Sequence, residues 1–178
     1  MRRNDFLIRR AKANDLMDVM EIVKSCTQNL ISKNIFQWND NYPKLDNFKA
    51  DISKDNLYLL IIQEKIIIGC FSINYEMDNY YKNINWIAPN KKNLYVHRLA
   101  IHPAFQDQGY GKGVMKFIER KAISENCYSI RLDTFSINKK NNLFYEKIGF
   151  YKIGYIFFPD QSEFPFNCYE KPLKKFYK

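Results

Sequence analysis

Cysteine and histidine are scarce in this sequence of 178 residues, and the few that occur are far apart. The four cysteines form no Cys-x-x-Cys pair, and only two histidines add further soft ligands. A structural zinc site needs closely spaced ligands, and a disulfide framework needs a denser set of cysteines. We therefore expect no metal site and no disulfide bond, with the cysteines buried as small apolar side chains. They are Cys26, Cys70, Cys127 and Cys168, and the histidines are His97 and His102.

Long apolar runs are missing as well. Runs such as residues 57–62 and 66–68 are far shorter than the roughly 20 residues that cross a bilayer. Residues 1–6 carry charge, but the apolar segment of a secretory signal does not follow them. We expect no membrane span and a cytoplasmic location.

Charge is unbalanced, with 28 Lys and Arg against 19 Asp and Glu and a formal net charge of +9. Such an excess suits a polyanionic partner, either nucleic acid or a phosphorylated cofactor. The basic residues are spread along the chain and form no stripe, so we expect no nucleic-acid partner.

The 46% hydrophobic content supplies a core, and no repeat or linker is visible, so we expect one domain over residues 1–178.

Periodicity predicts alternating strands and helices. Asn14 is predicted to cap the first helix, and Glu64 and Lys65 to join a hairpin. Pro103 ends one strand because proline lacks an amide, and Gly149 ends the last helix. Strands are predicted at 6–11, 56–63, 66–76, 94–101, 128–135, 150–158 and 166–172, helices at 16–30, 45–53, 109–125 and 138–148, and a loop at 78–92.

Residues 106–113, with the sequence QDQGYGKG, lie between a predicted strand and an amphipathic helix. Glycine permits positive φ and removes the Cβ that would hold a ligand away, so we expect the chain to bend at Gly109 and Gly111. The helix that follows adds unpaired amides and the positive end of its dipole. A phosphate or pyrophosphate is therefore the expected guest.

Three other kinds of loop have a similar glycine pattern. A P-loop is excluded because Gly113 follows Lys112, where Ser or Thr is required. A dinucleotide-binding fingerprint needs a small residue in place of Val114, although Asp133 lies at about the right distance downstream, and this reading stays open. A glycine-rich turn that only joins two elements also stays open on this motif alone.

Two motifs resemble those of a known family. Residues 102–111, HPAFQDQGYG, resemble the acetyl-CoA signature of the GNAT superfamily, which reads Gln or Arg, two residues, Gly, one residue, Gly or Ala. Residues 138–150 are similar to its second hallmark, an Asn followed seven residues later by Tyr and then by Gly-Phe. Asn141 stands where the family usually has Ala, and Gly113 where Ala or Lys is commoner. The resemblance covers roughly residues 94–155.

The resemblance implies an α/β fold of GNAT type, with a central, twisted, mostly antiparallel sheet of about six to seven strands flanked by about four helices. It also implies acetyl-CoA as co-substrate, without a metal. Backbone groups of one strand would pair with the pantetheine arm, a bulge there would splay this strand from residues 131–135, and a bulge amide would polarise the thioester. Asn138 would bind the cofactor arm, cap its helix, or do both. The cofactor-binding residues implied are Leu99, Ala100 and Ile101 on the strand, Gln106, Asp107, Gln108, Gly109, Tyr110, Gly111 and Lys112 on the loop, and Asn138.

Two side chains would complete the chemistry. Tyr145 matches the family's tyrosine that protonates the leaving thiolate, although a packed helix tyrosine is the plain alternative. Asp133 occupies a strand position where some members carry the base that takes the amine proton, but it could equally be ion-paired beside Arg131. His97 alternates with Arg98 and could face the acceptor, although a structural role is commoner for a lone strand histidine.

The resemblance implies N-acetyl transfer to a primary amine of a small molecule or peptide, by direct attack in a ternary complex. Two aromatic segments, residues 34–43 and 159–167, would line the acceptor pocket, and Asp40, Asp160 and Glu163 could attract a cationic amine. These aromatics could equally close the core. A catalytically silent CoA-binding module is the main alternative, and a homodimer is left open.

Overall fold

The computed structural model describes residues 5–173, which form a mixed α/β fold. Seven strands and four α-helices in this range confirm the expected fold class. The strands are β1 (Leu7–Arg10), β2 (Leu57–Ile62), β3 (Ile66–Asn74), β4 (Leu94–Ile101), β5 (Ser129–Phe135), β6 (Tyr151–Ile156) and β7 (Phe166–Pro172), and the helices are α1 (Leu16–Ile31), α2 (Leu45–Ser53), α3 (Tyr110–Ser124) and α4 (Lys139–Lys147).

The strands lie in one sheet in the order β1-β2-β3-β4-β5-β7-β6. The pairs β1–β2, β2–β3, β5–β7 and β6–β7 are antiparallel, whereas β4 and β5 are parallel and are joined by α3. Two compact units can be distinguished. The first comprises the residues up to Ile73 together with Arg98–Met115, and the second comprises Asn74–His97 and the residues from Lys116 onward. The single domain over residues 1–178 stays a prediction.

The core of the first unit forms where α1 and α2 bury their apolar sides. Val19 and Val23 of α1 and Phe48 of α2 belong to one buried cluster. Leu57 and Leu59 of β2 join it from alternate positions, because successive side chains of a strand point to opposite faces. Trp38, from the connection between the two helices, is buried in the same cluster.

The hairpin between β2 and β3 turns one residue earlier than predicted. Lys65 N donates to Ile62 O at 3.2 Å, so the two central residues are Gln63 and Glu64, with φ of 50° and 63°. A turn of this type needs positive φ at both central positions, and Lys65 completes a three-residue connection between Ile62 and its partner Ile66. The position of this turn could not be predicted from the sequence, because neither central residue is Gly, Asn or Asp.

The start of α1 also differs from the prediction. Asn14 lies inside a short 3-10 turn, Ala13–Asp15, and does not cap the helix. The neighbouring residue Asp15 makes the hydrogen bonds at this end of the helix. Its carboxylate accepts from Lys12 N at 2.7 Å and forms an ion pair with Arg9 at 2.7 Å. This pair lowers the pKa of Asp15 below its usual value. The other predicted elements are present with small differences at their ends.

All four cysteines are buried free thiols, which confirms their expected environment. Burial raises the pKa of Cys26 to about 12. A thiol with this pKa is protonated and poorly nucleophilic at neutral pH.

Within residues 5–173, no helix combines the length and the apolar character that a membrane-spanning helix needs.

The second unit contains a fully buried ion pair between β5 and β7. Arg131 Nε donates to Glu170 Oε1 at 2.9 Å, and both side chains are 0% exposed. The guanidinium also donates to Ala88 O at 2.7 Å and stacks 4.5 Å from the Trp86 ring. Glu170 accepts from Ile87 N at 2.5 Å. The pair therefore anchors the loop before β4 through hydrogen bonds to its backbone.

Replacing Arg131 with Met should lower the free energy of unfolding by about 3–5 kcal/mol, because Glu170 is left buried without its partner. Urea unfolding measures this loss. Arg10→Met is the control: its pair with Asp55, at 3.5 Å, is exposed, and its loss should cost less than about 1 kcal/mol. The double variant Arg131→Met/Glu170→Leu should recover only part of the loss, because Ile87 N–H and Ala88 O then lack their partners. Equal small losses in both single variants would contradict the role of the buried pair.

Candidate active site

The glycine-containing loop of the first unit ends where α3 begins. Asp107 and Gly109 have left-handed backbones, with φ of 62° and 86°. Gly113 N donates to Gly109 O at 3.1 Å, so Gly111 lies inside the first helical turn. The bend thus lies at Asp107 and Gly109, whereas Gly109 and Gly111 were expected. The N–H groups of a first helical turn lack intrahelical acceptors, and they provide the donors that an anion needs.

Side chains around the loop fix its shape and leave its tip accessible. Gln106 Nε2 donates to Ile101 O at 2.8 Å, which ties the loop to the end of β4. Tyr110 is buried edge-on against Phe6, with ring centroids 6.2 Å apart. A Cβ on Gly113 would come within 2.6 Å of the Phe6 ring, which explains glycine at this position. Asp107, Gln108, Gly109 and Lys112 are exposed.

The second half of β4 presents alternate backbone groups to opposite edges. His102 N, just beyond the strand, donates to Ile68 O of β3 at 2.8 Å. Ala100 O also faces β3, since a Cβ on Gly69 would lie 2.6 Å from it. Because the backbone groups of a strand alternate in direction, those of Leu99 and Ile101 point toward the other edge. Ala100, predicted to bind the cofactor through its backbone, is thus turned toward β3.

An irregularity interrupts β4 at Arg98. Its φ of 52° is left-handed, although the residue lies within the strand. The parallel register of β4 with β5 runs from Leu94, opposite Ile130, to Val96, opposite Leu132. A left-handed residue inserted in a strand is the local geometry of a bulge. The predicted bulge therefore has a structural counterpart, one residue before Leu99.

Tyr145 lies on α4 in the second unit and is buried among aromatic rings. The centroids of the Phe150 and Tyr169 rings are 5.8 and 6.0 Å from that of Tyr145. Burial raises the pKa of the Tyr145 phenol, and the nearby negative charge of Asp133 raises it further. The two predicted catalytic residues are therefore electrostatic neighbours, and the phenol is protonated at neutral pH.

Asp133 is half-buried on β5 and is oriented by a residue that the sequence did not point to. Tyr81 Oη donates to Asp133 Oδ1 at 2.5 Å. The pKa of Tyr81 lies well above its usual value because of burial first and of the Asp133 charge second. Arg131, considered as a partner of Asp133, forms its ion pair with Glu170. Tyr81 was hidden because it lies 52 residues from Asp133, within the predicted loop.

Asn138 caps α4, since its side chain accepts from Asn141 N at 3.1 Å. Its cofactor role stays a prediction. Asn142, which sequence reasoning missed, ties the helix to two strands: Nδ2 donates to Phe135 O at 2.9 Å, and Oδ1 accepts from Asn167 Nδ2 at 2.7 Å. Asn142 lies four residues after Asn138 and thus on the same face of the helix, and this spacing could have indicated it from the sequence.

Two further features of the second unit bear on ligand binding. Thr134 Oγ1, on β5 beside Asp133, is the one buried side-chain polar atom without a hydrogen-bond partner in the part of the chain that the structure describes. Such an atom is normally completed by water or a ligand. A cleft of about 300 Å³ is lined by Asn142, Glu146 and Tyr169, among others, but not by Tyr145 or Asp133.

The aromatic residues of the two predicted acceptor segments divide between core and surface. Trp38 and Phe166 are buried, whereas Phe36 and Phe164 are exposed. Trp38 and Phe166 therefore belong to the core. Contact of Phe36 and Phe164 with an acceptor stays a prediction. His97 is half-buried, and its role likewise stays a prediction. Across residues 5–173, no group of three or more His, Cys, Asp or Glu side chains could hold a metal ion.

Comparison with known proteins identifies the family. The chain matches the model of the acetyltransferase (GNAT) family over residues 16–150, and it therefore belongs to this family. No curated protein gives a significant match.

Solved structures share the fold. A candidate acetyltransferase from Staphylococcus aureus Mu50 is 26% identical, with 94% of this chain and 99% of that protein covered and a TM-score of 0.73. A GNAT-family acetyltransferase from Streptococcus agalactiae 2603 is 19% identical, with 96% of each chain covered and a TM-score of 0.79. A candidate acetyltransferase from Salmonella typhimurium, solved with its cofactor acetyl-CoA, is 14% identical, with 98% of each chain covered and a TM-score of 0.69.

The residues present fit acetyl-CoA, the co-substrate that the family implies. The exposed left-handed loop opening α3 offers backbone donors to a pyrophosphate, and Lys112 adds a positive charge. The roles of the individual residues remain predictions.

The raised pKa of Tyr145 can be tested by alkaline titration. Its folded-state pKa lies above the ordinary tyrosine value of about 10, so the unfolded chain loses this proton first. The stability linked to Tyr145 is therefore complete below about pH 10 and is lost as the pH rises through the folded-state pKa. Tyrosinate absorbance of the wild type minus that of Tyr145→Phe should show no ionisation near pH 10. In urea, the same difference should show ionisation near pH 10, and a step there in the folded protein would refute the assignment.

Proposed function

We propose that this protein is an N-acetyltransferase that transfers the acetyl group of acetyl-CoA to a primary amine, by direct attack of the amine in a ternary complex. The observation that carries the proposal is the exposed loop, left-handed at Asp107 and Gly109, that opens α3 in a chain of the GNAT family. Its amides suit the pyrophosphate, and Lys112 supports them with charge.

Backbone groups of β4 are proposed to bind the rest of the co-substrate. Ile101 O already accepts hydrogen bonds from Gln106 Nε2 and from Cys26 Sγ. The pairing role is therefore assigned to the amide of Ile101 and to the backbone of Leu99, which point away from β3. The Leu99 N–H, which follows the left-handed Arg98, is the proposed donor to the thioester carbonyl oxygen, where negative charge develops during attack.

Tyr145 is proposed as the general acid. When bound, acetyl-CoA supplies an activated acetyl thioester. The amine nitrogen forms a bond to the carbonyl carbon, the carbon–sulfur bond breaks, and the Tyr145 hydroxyl gives its proton to the departing sulfur, while the proton that the new amide nitrogen releases returns to the phenolate through water. The phenol carries its proton at neutral pH and so has one to give.

Asp133 is proposed to receive the proton that the amine loses. A primary amine has a pKa near 10 and arrives as an ammonium ion, so a proton must leave before attack. The Asp133 carboxylate can hold the ammonium by charge and accept its proton directly or through water. The Tyr81 hydrogen bond fixes the orientation of this carboxylate. The acceptor is proposed to be a small-molecule or peptide amine.

A thiol-release assay with acetyl-CoA and a panel of primary amines tests the proposal. Turnover is expected with at least one amine, and Tyr145→Phe should lower kcat by about 100-fold or more, because the leaving thiolate loses its acid. Tyr58→Phe is the matched control, since it removes the hydroxyl of another buried tyrosine, in the first unit, and should leave kcat nearly unchanged.

The same assay separates the transferase from a silent CoA-binding module. Tight binding of acetyl-CoA in calorimetry, with no thiol released by any amine, would favour the module. An absence of binding heat would reject both functions.

The loop itself is tested by two glycine substitutions. Gly109 and Gly149 have φ of 86° and 90°, so alanine at either position should cost about 1–2 kcal/mol in stability. Only Gly109→Ala should also weaken acetyl-CoA binding in calorimetry. Gly149→Ala is the matched control because an added Cβ meets Lys171 at an ordinary contact distance of 3.7 Å. Equal affinities in the two variants would contradict the assignment of the loop.

A further inference from the structure

Arg98 adopts an uncommon backbone conformation in the middle of a strand. Its φ of 52° lies in the left-handed region, which is unfavourable for a residue with a Cβ. Such strained residues persist only where the surrounding structure over-determines them, and they cluster at functional sites. The neighbours of the Arg98 side chain should therefore show what holds it.

The Arg98 guanidinium is held by Asp51 of α2. Nη2 donates to Asp51 Oδ1 at 2.7 Å, and Nε donates to Oδ2 at 2.9 Å, which gives a two-pronged pair. The Arg98 side chain is 13% exposed and that of Asp51 is 9% exposed. Parallel hydrogen bonds of this kind fix direction as well as distance.

Two further hydroxyls complete the cluster. Ser72 Oγ of β3 donates to Asp51 Oδ2. Arg98 Nη1 donates to Tyr42 Oη at 3.2 Å. Arg98 thus has partners from α2 and from the segment before α2, and β3 supports the Asp51 carboxylate through Ser72.

We propose that Asp51 and Tyr42 are positioning residues for acetyl transfer: they hold Arg98 in its left-handed conformation and thereby aim the Leu99 N–H toward the edge of β4 that faces away from β3. This inference rests on the proposed function, in which the Leu99 N–H donates to the thioester carbonyl oxygen. Both residues act through Arg98.

Stability alone does not account for this arrangement. A buried ion pair can often be replaced by apolar residues of similar volume without loss of stability. Here the protein removes Arg98 and Asp51 from water and also holds Arg98, the residue directly before Leu99, at an unfavourable backbone angle. Tyr42 lies within residues 34–43, the predicted acceptor segment, so its bond to Arg98 also connects that segment to the bulge.

Two double variants separate backbone geometry from charge. Asp51→Ala/Arg98→Gly and Asp51→Ala/Arg98→Ala both remove the ion pair without leaving a buried charge alone. They differ by one methyl group, and only glycine adopts positive φ without strain. The glycine variant should keep a kcat about tenfold above that of the alanine variant, with similar KM for acetyl-CoA.

A second readout needs no turnover. A donor to the thioester carbonyl lowers its stretching frequency, which isotope-edited infrared spectroscopy measures on bound acetyl-CoA carrying ¹³C at the carbonyl. The glycine variant should keep the frequency shift of the wild type, and the alanine variant should lose most of it. Equal shifts in the two variants, or equal kcat values, would overturn the proposal.

Tyr42→Phe supplies a milder variant that keeps the ion pair and so is expected to fold. It should lower kcat by a few-fold and leave the affinity for acetyl-CoA unchanged; an unchanged kcat would remove Tyr42 from the proposal. Turnover by the wild type together with identical glycine and alanine variants would refute the positioning role while leaving the proposed function intact. A wild type that binds no acetyl-CoA would refute both.

Discussion

A buried guanidinium requires the protein to supply partners for its N–H groups, and this constraint organises each unit of the molecule. Arg98 meets it through Asp51 and Tyr42 in the first unit, and Arg131 meets it through Glu170 and the backbone of the loop before β4 in the second. In both cases a strand arginine draws in segments distant in sequence. Each arginine also lies within two residues of a predicted site residue, so the demand for hydrogen bonds and the shape of the site are linked.

The two groups proposed for proton transfer differ in burial. Burial raises the pKa of the Tyr145 phenol and so preserves the proton that a general acid must hold. Asp133 is only half-buried and receives a hydrogen bond from Tyr81, which gives its carboxylate a fixed direction and partial access to solvent. The two neighbours therefore differ in burial and in hydrogen bonding, as two groups with separate roles in proton transfer would.

The sequence predicted the features that depend on neighbouring residues. The glycine loop, the Asn138 cap and the bounds of α2 and β7 could be predicted because each rests on local spacing or local backbone preference. Contacts across 47 and 52 residues, Arg98 to Asp51 and Tyr81 to Asp133, leave no such local trace. Left-handed residues other than glycine, such as Arg98, were hidden for the same reason: tertiary contacts, not their own propensity, hold them there.

The aromatic residues show where pattern alone misleads about the acceptor. Trp38 and Phe166 appeared in segments rich in aromatic residues, yet both are buried in the cores of their units. Phe36 and Phe164 come from the same two segments and remain exposed. These two therefore stay accessible to solvent, and Phe164 also packs edge-on against Phe135, with ring centroids 6.3 Å apart. Tertiary packing therefore decides which aromatic residues of a segment stay accessible, and the order of residues in the segment does not show it.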